Sequence, residues 1–223
     1  MTARAHRGER RADALSTERI VEAAIEILDG EGENALTFRA LAAHLQTGSG
    51  AIYWHIANKG DLLAAATDHI FSGVLSQVAG DAQPHAAIRA VAAGVFDAID
   101  AHPWVGAQLS RAPWRLAMLQ IMESVGAQLK AMGVPERAQF TAASVLVNYI
   151  LGVAGQNAAN ARLLPPEMDR STFLAAVTER WAQYDSGEYP FVHQVAAQLR
   201  EHDDRDQFLA GIDLILAGLD TAG

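Results

Sequence analysis

The chain contains no cysteine, which excludes disulfides, thiolate zinc centres and thiol redox chemistry. Histidines and acids are present, but none falls into a recognised ligand spacing such as HExxH, so neither a metal nor a cofactor is expected. No uncharged apolar run approaches about 18 residues, the length a membrane span needs. No apolar segment follows Arg4, Arg7, Arg10 and Arg11 to complete a signal peptide. These absences lead to the expectation of a soluble, cytoplasmic protein. Runs of β-branched residues are few while alanine is everywhere, so the 50% hydrophobic content reads as helix rather than sheet. Internal repeats and low-complexity linkers are also missing. A length of 223 residues allows one or two domains with a sizeable core.

Positive charge is in short supply: 17 Lys and Arg face 26 Asp and Glu, a net charge of −9. The imbalance is uneven. Through Gly60 seven cations face eight acids, and beyond it ten face eighteen. Any polyanion must therefore be met by cations placed locally, namely Arg4 to Arg11, Arg39 and Lys59. Residues 1–15 show no apolar periodicity and read as a flexible basic arm, which either reaches a nucleic-acid groove or is simply solvated.

What the chain does have is most concentrated in LTFRALAAHLQTGSGAIYWHIANKGDLL, Leu36 to Leu63. Thr37 is placed to cap a helix, and Leu36 and Leu41 have the spacing of a hydrophobic staple. Phe38, Leu41, Ala42 and Leu45 form one apolar face, Gln46-Thr47-Gly48 breaks it, and Ser49 to Ile56 restarts it. Ile52 and Ile56 point inward. Ser49, Gly50, Ala51, Tyr53, Trp54 and His55 are left for the outer face or the packing seam. Small residues let a backbone approach base edges, while Tyr53, Trp54, His55 and Lys59 suit phosphates, so the pattern is a helix-turn-helix. Asn58 is expected to cap the next helix, with Asp61 at its third position. A first helix from Ser16, with Leu15 and Ile20 as a second staple, ends at Gly30 to Gly32.

Beyond Gly80 the breaks divide the chain into helices over 86–101, 105–109, 116–132, 136–162, 172–184, 190–201 and 206–219. Two of these are unusually apolar. Val145, Leu146, Tyr149, Val153 and Ala154 accompany Gly152 and Gly155, while Phe208, Leu209, Ile212, Ile215, Leu216 and Leu219 cover more than one face.

The run AIYWHIANKGDLL, preceded by LTFRALAAHLQ, resembles the DNA-binding domain of the TetR family of transcriptional regulators. The resemblance rests on Thr37, the Tyr53-Trp54-His55 triplet and Asn58-Lys59. It is close from about Ser16 to Ala66 and loose beyond. It implies an all-α fold with a three-helix helix-turn-helix domain over 16–62 and a helical effector-binding and dimerisation domain over 63–223. It also implies a homodimer, built on the two apolar helices, that binds a palindromic double-stranded DNA operator. Such a protein is most often a repressor released by a small-molecule effector. By position, the resemblance assigns base contacts to Arg39, Ser49, Gly50, Ala51 and Tyr53. Phosphate contacts fall to Thr37, Thr47, Trp54, His55 and Lys59. This sequence departs in having both Gly48 and Gly50, which offer no side chain. Arg39, which suits guanine O6 and N7, is therefore expected to carry much of the discrimination, with a phosphate clamp as its other reading.

The resemblance further implies an effector pocket, for which Val91, Val95, Trp104, Trp114, Met118, Met122, Asn148, Gln156 and Asn157 are the candidate lining. The same residues describe an ordinary helical core. The three amides stand out because buried amides need partners. Where tetracycline repressors carry two histidines and a glutamate, this chain holds Leu75, about Leu109 and Gln156, so a less polar effector is expected. Two other readings are a helical ligand-binding protein with a vestigial helix-turn-helix, and an enzyme built on His102 with Asp97 and Asp100 or on His202 with Asp203, Asp204 and Asp206. Helix-end placement accounts for both of these histidine clusters.

Overall fold

Ser16 starts the first helix as the spacing predicts: its hydroxyl accepts the Arg19 N–H at 3.2 Å, and α1 runs Thr17–Glu31. The structure, a computed structural model, describes residues 15–78, 83–163, 168–201 and 203–220. The expectations for Arg4, Arg7, Arg10, Arg11 and His202, and for the loops at 79–82 and 164–167, lie outside those residues. Gly32 ends α1 with φ +80°, a left-handed conformation that side chains disfavour. Thr37 caps α2 (Phe38–His44) by accepting the Ala40 N–H at 3.0 Å. Leu36 and Leu41 of the staple are both fully buried, each contributing roughly 1.5–3 kcal/mol.

The turn that follows, at Gln46-Thr47-Gly48 as the break in the pattern predicts, is not made by its glycine. Gln46, not a glycine, takes the left-handed conformation, at φ 52°, while Gly48 is extended at φ −85°. The recognition helix α3 is also shorter than its periodicity suggests. It spans Ser49–Tyr53, with Trp54 as its C-cap. Asn58 caps α4 (Lys59–Val78) reciprocally: Oδ1 accepts the Asp61 N–H at 2.9 Å and Nδ2 donates to the Asp61 carboxylate at 2.8 Å.

Seven more helices complete the described chain: α5 (Pro84–Ala101), α6 (Trp104–Arg111), α7 (Leu116–Ala131), α8 (Glu136–Leu163), α9 (Arg170–Trp181), α10 (Pro190–Glu201) and α11 (Asp204–Asp220). Among the described residues there is no strand, and the all-α expectation holds. Helix α5 is the centre, packing on α4, α7, α8 and α11 through Ile88, Val91, Ala92, Val95 and Ile99. Helices α9 and α10 pack chiefly on each other. The apolar core is continuous from α1 into the body, because Ala66 and Phe71 of α4 belong to it together with the helix-turn-helix leucines. Helices α1 to α3 therefore share their core with α4 and the body.

Helix α11 is fixed to α5 by ions and rings. The Arg205 guanidinium grips Asp97 with two bonds of 2.7 and 2.9 Å, which holds it more firmly protonated, and Arg89 faces Asp213 at 3.3 Å. Phe96, Phe208 and Tyr149 stack in series, with ring centroids 4.8 and 5.6 Å apart. The Tyr149 hydroxyl donates to the Phe208 carbonyl at 3.2 Å, and its burial pushes the phenol pKa up. A Cβ at position 211 would overlap that phenol, so Gly211 is what lets the ring lie against α11.

One composition-based expectation needs correction. Helix α8 is long and apolar enough to cross a membrane by length and composition, with a mean hydropathy of 1.3 in its most apolar window. Its stretch from 138 to 161 carries no charge but is interrupted by Gln139, Asn148, Gln156, Asn157 and Asn160. It packs against α5, α6, α7 and α11, the surroundings of a bundle's core helix.

Candidate nucleic-acid interface

The face presented by α2 and α3 follows from which side each residue must bury. Leu41, Ala42 and Ile52 go into the core, and Ile56 closes it from the loop. Opposite them, Thr37, Arg39, Ser49, Gly50, Tyr53, Trp54 and His55 are all exposed, with Thr47 and Ala51 half-buried at the turn. Tyr53 is held by its ring against Phe38, at a centroid distance of 4.5 Å and a tilt of 57°. The Trp54 side chain has no such support and is 90% exposed. His55 lies 3.4 Å from the Thr17 hydroxyl, at the α1 end of the same face. A Cβ at Gly48 or Gly50 would meet nothing within 4 Å, so neither glycine serves packing in the chain itself. Lys59 differs from the others. It is half-buried and its Nζ donates to the Glu33 carbonyl at 2.5 Å, leaving its remaining protons for any phosphate.

The residues considered for a ligand site are dispersed. Val91 and Val95 lie in the α5 core, and Met118 and Met122 are half-buried on α7. Trp114 is exposed in the loop between α6 and α7. Asn148 and Gln156 are exposed rather than buried, because they share a helical stripe with Thr141, Val145, Gly152 and Ala159 on the outer side of α8. Asn157 is half-buried, and with its amide oriented to donate it reaches the Asp204 carboxylate at 3.2 Å, beside Arg170 of α9. Leu109 is buried and Leu75 half-buried.

Trp104 turns out to belong to a junction that sequence reasoning missed. Its Nε1–H donates to Asp29 at the end of α1 at 2.8 Å, and the same carboxylate lies 2.9 Å from His102 Nδ1. One turn on, Glu33 accepts from Gln108 at 3.2 Å and from Arg111 at 3.3 Å. Asp61 faces Arg115, and Asp68 of α4 accepts the Ala117 N–H that opens α7. Acids of the helix-turn-helix unit thus meet donors of α6 and the start of α7. Asp97 and His102, paired on sequence as an acid–base candidate, take different partners. The sequence did carry a signal for this junction. Asp29 and Glu31 stand in the last turn of α1, where the helix dipole disfavours acids and no basic residue compensates.

Residues 13–66 match the bacterial regulatory proteins of the tetR family, and residues 81–222 match the tetracyclin repressor-like C-terminal domain. The HTH-type transcriptional repressor DrrR1 of Streptomyces coeruleorubidus is 31% identical over 93% of this chain and 78% of its own length. The transcriptional regulator SCO7222, a TetR from Streptomyces coelicolor, superposes with a TM-score of 0.86 at 51% identity, covering 93% of this chain and 99% of that one. BioQ, solved with its natural double-stranded DNA operator, superposes with a TM-score of 0.64 at 25% identity over 93% of this chain and 99% of its own. With the helix-turn-helix at one end and the matching helical body at the other, the chain belongs to the TetR family of DNA-binding transcriptional regulators.

Proposed function

We propose that the chain is a repressor that binds a palindromic operator as a homodimer and leaves it when a small effector binds the helical body. The observation that carries this reading is the exposed surface around α3. Tyr53 and Trp54 are 58% and 90% exposed beside Arg39, Ser49 and Gly50, an aromatic surface a folded chain gains nothing by leaving in water. Phosphates and sugars of a major-groove wall would cover it, with Arg39, Ser49, Gly50, Ala51 and Tyr53 toward the bases. Thr37, Thr47, Trp54, His55 and Lys59 would then face the backbone. That BioQ was solved with its operator and that DrrR1 is a repressor both support operator binding and repression as the role.

Dimerisation has support of the same kind. The outer stripe of α8 carries Val145, with Phe140, 79% exposed, at its flank, while α11 exposes Ala210, Leu214 and Ala217. These stripes, apolar on α11 and mixed with amides on α8, lie on adjacent packed helices and suit a two-fold, self-complementary contact. The polar junction from Asp29 to Arg115 gives an effector a route to the head, since any shift of α6 bears on α1 and α4. Repression of cytoplasmic DNA is the role that follows.

To test it, operator fragments are selected from a genomic pool with the purified protein, and the best is titrated against Trp54→Ala. Trp54 is 90% exposed, so the variant keeps its melting temperature. Its affinity for the operator falls by about tenfold or more, the scale of a hydrogen bond to a charged group. Equal affinity in the variant would remove this face from DNA recognition.

A further inference from the structure

We infer that the cleft between the C-terminal part of α4 and the outer face of α7 binds a small apolar amine, and that this is the effector class of the regulator. The inference rests on the proposed effector control and gives it a place and a chemistry. The cleft has a volume of about 540 Å³ and is lined by Leu75 of α4 and by Leu119, Gln120, Met122, Glu123 and Ser124 of α7. That volume falls within the range of small-molecule sites, about 300–1,000 Å³.

Its walls are apolar, and Leu119 is 56% exposed at its rim. Among its polar groups Glu123 alone is ionisable, and Gln120 and Ser124 can each donate or accept. The Gln120 Oε1 is buried and has no hydrogen-bond partner among the described residues, which costs free energy until a donor reaches it. Glu123 adds an exposed carboxylate, and no Lys or Arg is among the lining residues. A carboxylate or phosphate ligand would meet the Glu123 charge with only the neutral donors of Gln120 and Ser124 to offset it. A protonated amine on an apolar body complements the cleft: its ammonium pairs with Glu123, a turn of the Gln120 amide brings the buried oxygen to a further N–H, and its body lies on Leu75, Leu119 and Met122.

The cleft is also well placed to act on the head. Helix α4 begins at Lys59 in the helix-turn-helix unit and reaches the cleft at Leu75. The residue before Leu75, Val74, lies so close to α5 that a Cβ on Gly94 would come within 2.5 Å of it. An occupant on the α7 side therefore pushes on a helix that has no slack on its α5 side.

The test uses the full-length protein without DNA and three probes of one shape: naphthylmethylamine, naphthylmethanol and naphthoate, titrated by calorimetry. The amine binds saturably, about tenfold tighter than the alcohol, and naphthoate binds least. Glu123→Gln brings amine and alcohol level, and Leu119→Lys abolishes amine binding. Both positions are exposed, so folding is preserved. Naphthoate binding as well as the amine, no saturable binding of any probe, or an amine preference that survives Glu123→Gln would each overturn the proposal. Operator affinity is read separately on the unliganded protein, so failure of the cleft leaves the DNA-binding reading standing or falling by its own titration.

Discussion

Gly50 and Arg39 sit within a turn of the proposed groove contact and make opposite demands on it. Alanine at 50 meets nothing within 4 Å and replaces a weak helix former, so Gly50→Ala raises stability by up to about 1 kcal/mol. If the backbone there approaches a base pair, the same change weakens operator binding, and thermal melts beside anisotropy titrations separate the two effects. Arg39→Ala has no such stability gain and costs about 1–3 kcal/mol on the selected operator, with less loss on unrelated DNA. A loss equal on both DNAs would make Arg39 a phosphate clamp instead. A third residue tests local electrostatics. Asp169 caps α9 and accepts from the Ser171 hydroxyl at 2.7 Å and from the Thr172 N–H and hydroxyl at 2.8 and 3.0 Å. These bonds, the one from Ser171 foremost, lower its pKa from 3.8 to about 2. A depressed carboxyl pKa stabilises the fold above the unfolded value and is lost as pH falls through the folded one. Asp169→Ala is therefore less stable than the parent at neutral pH. The gap closes between pH 3.8 and about 2 in denaturant titrations run across that range.

At the scale of helices, the junction between α1 and α6 is the feature most exposed to mutation. Trp104 is only 4% exposed, and its N–H has Asp29 as its acceptor. Asp29→Ala leaves that donor buried and unpaired, costing about 1–3 kcal/mol in denaturant titrations, whereas Asp29→Asn keeps an acceptor in place and costs less. Equal losses in the two variants would show that charge, through His102, matters more than the Trp104 bond. The helices themselves were legible in the sequence wherever the signal was local. Ser16, Thr37 and Asn58 announce their caps, and Leu36 and Leu41 their staple, from residues three to five apart. The turn conformation at Gln46 was not legible, since Gly48 two residues on offers the same freedom and gives no hint that it goes unused. The bond from Trp104 to Asp29 spans 75 residues, and only the misplaced acids at the end of α1 hint at it. Asn148 and Gln156 were read as buried because α8 is apolar on nearly all sides, which makes its outward face hard to identify.

For the whole molecule, the account requires that two copies act together. A single five-residue recognition helix on a chain of net charge −9 is a weak reader of DNA. In the proposed dimer, two copies joined through α8 and α11 would add their half-sites. Leu214, 76% exposed on α11, is the handle. Leu214→Glu places two carboxylates across the two-fold contact, so light scattering shows the variant as a monomer at concentrations where the parent is a dimer. Titrating the selected palindrome by anisotropy, for parent and Leu214→Glu, over a series of salt concentrations shows whether the dimer is the unit that reads DNA. Two protomers are expected to bind per palindrome, to half-sites about 34–36 Å apart. Affinity is expected to fall steeply as salt rises, and tight binding to be lost in the variant. One protomer per site, or weak binding indifferent to sequence in the parent, would contradict reading by a dimer.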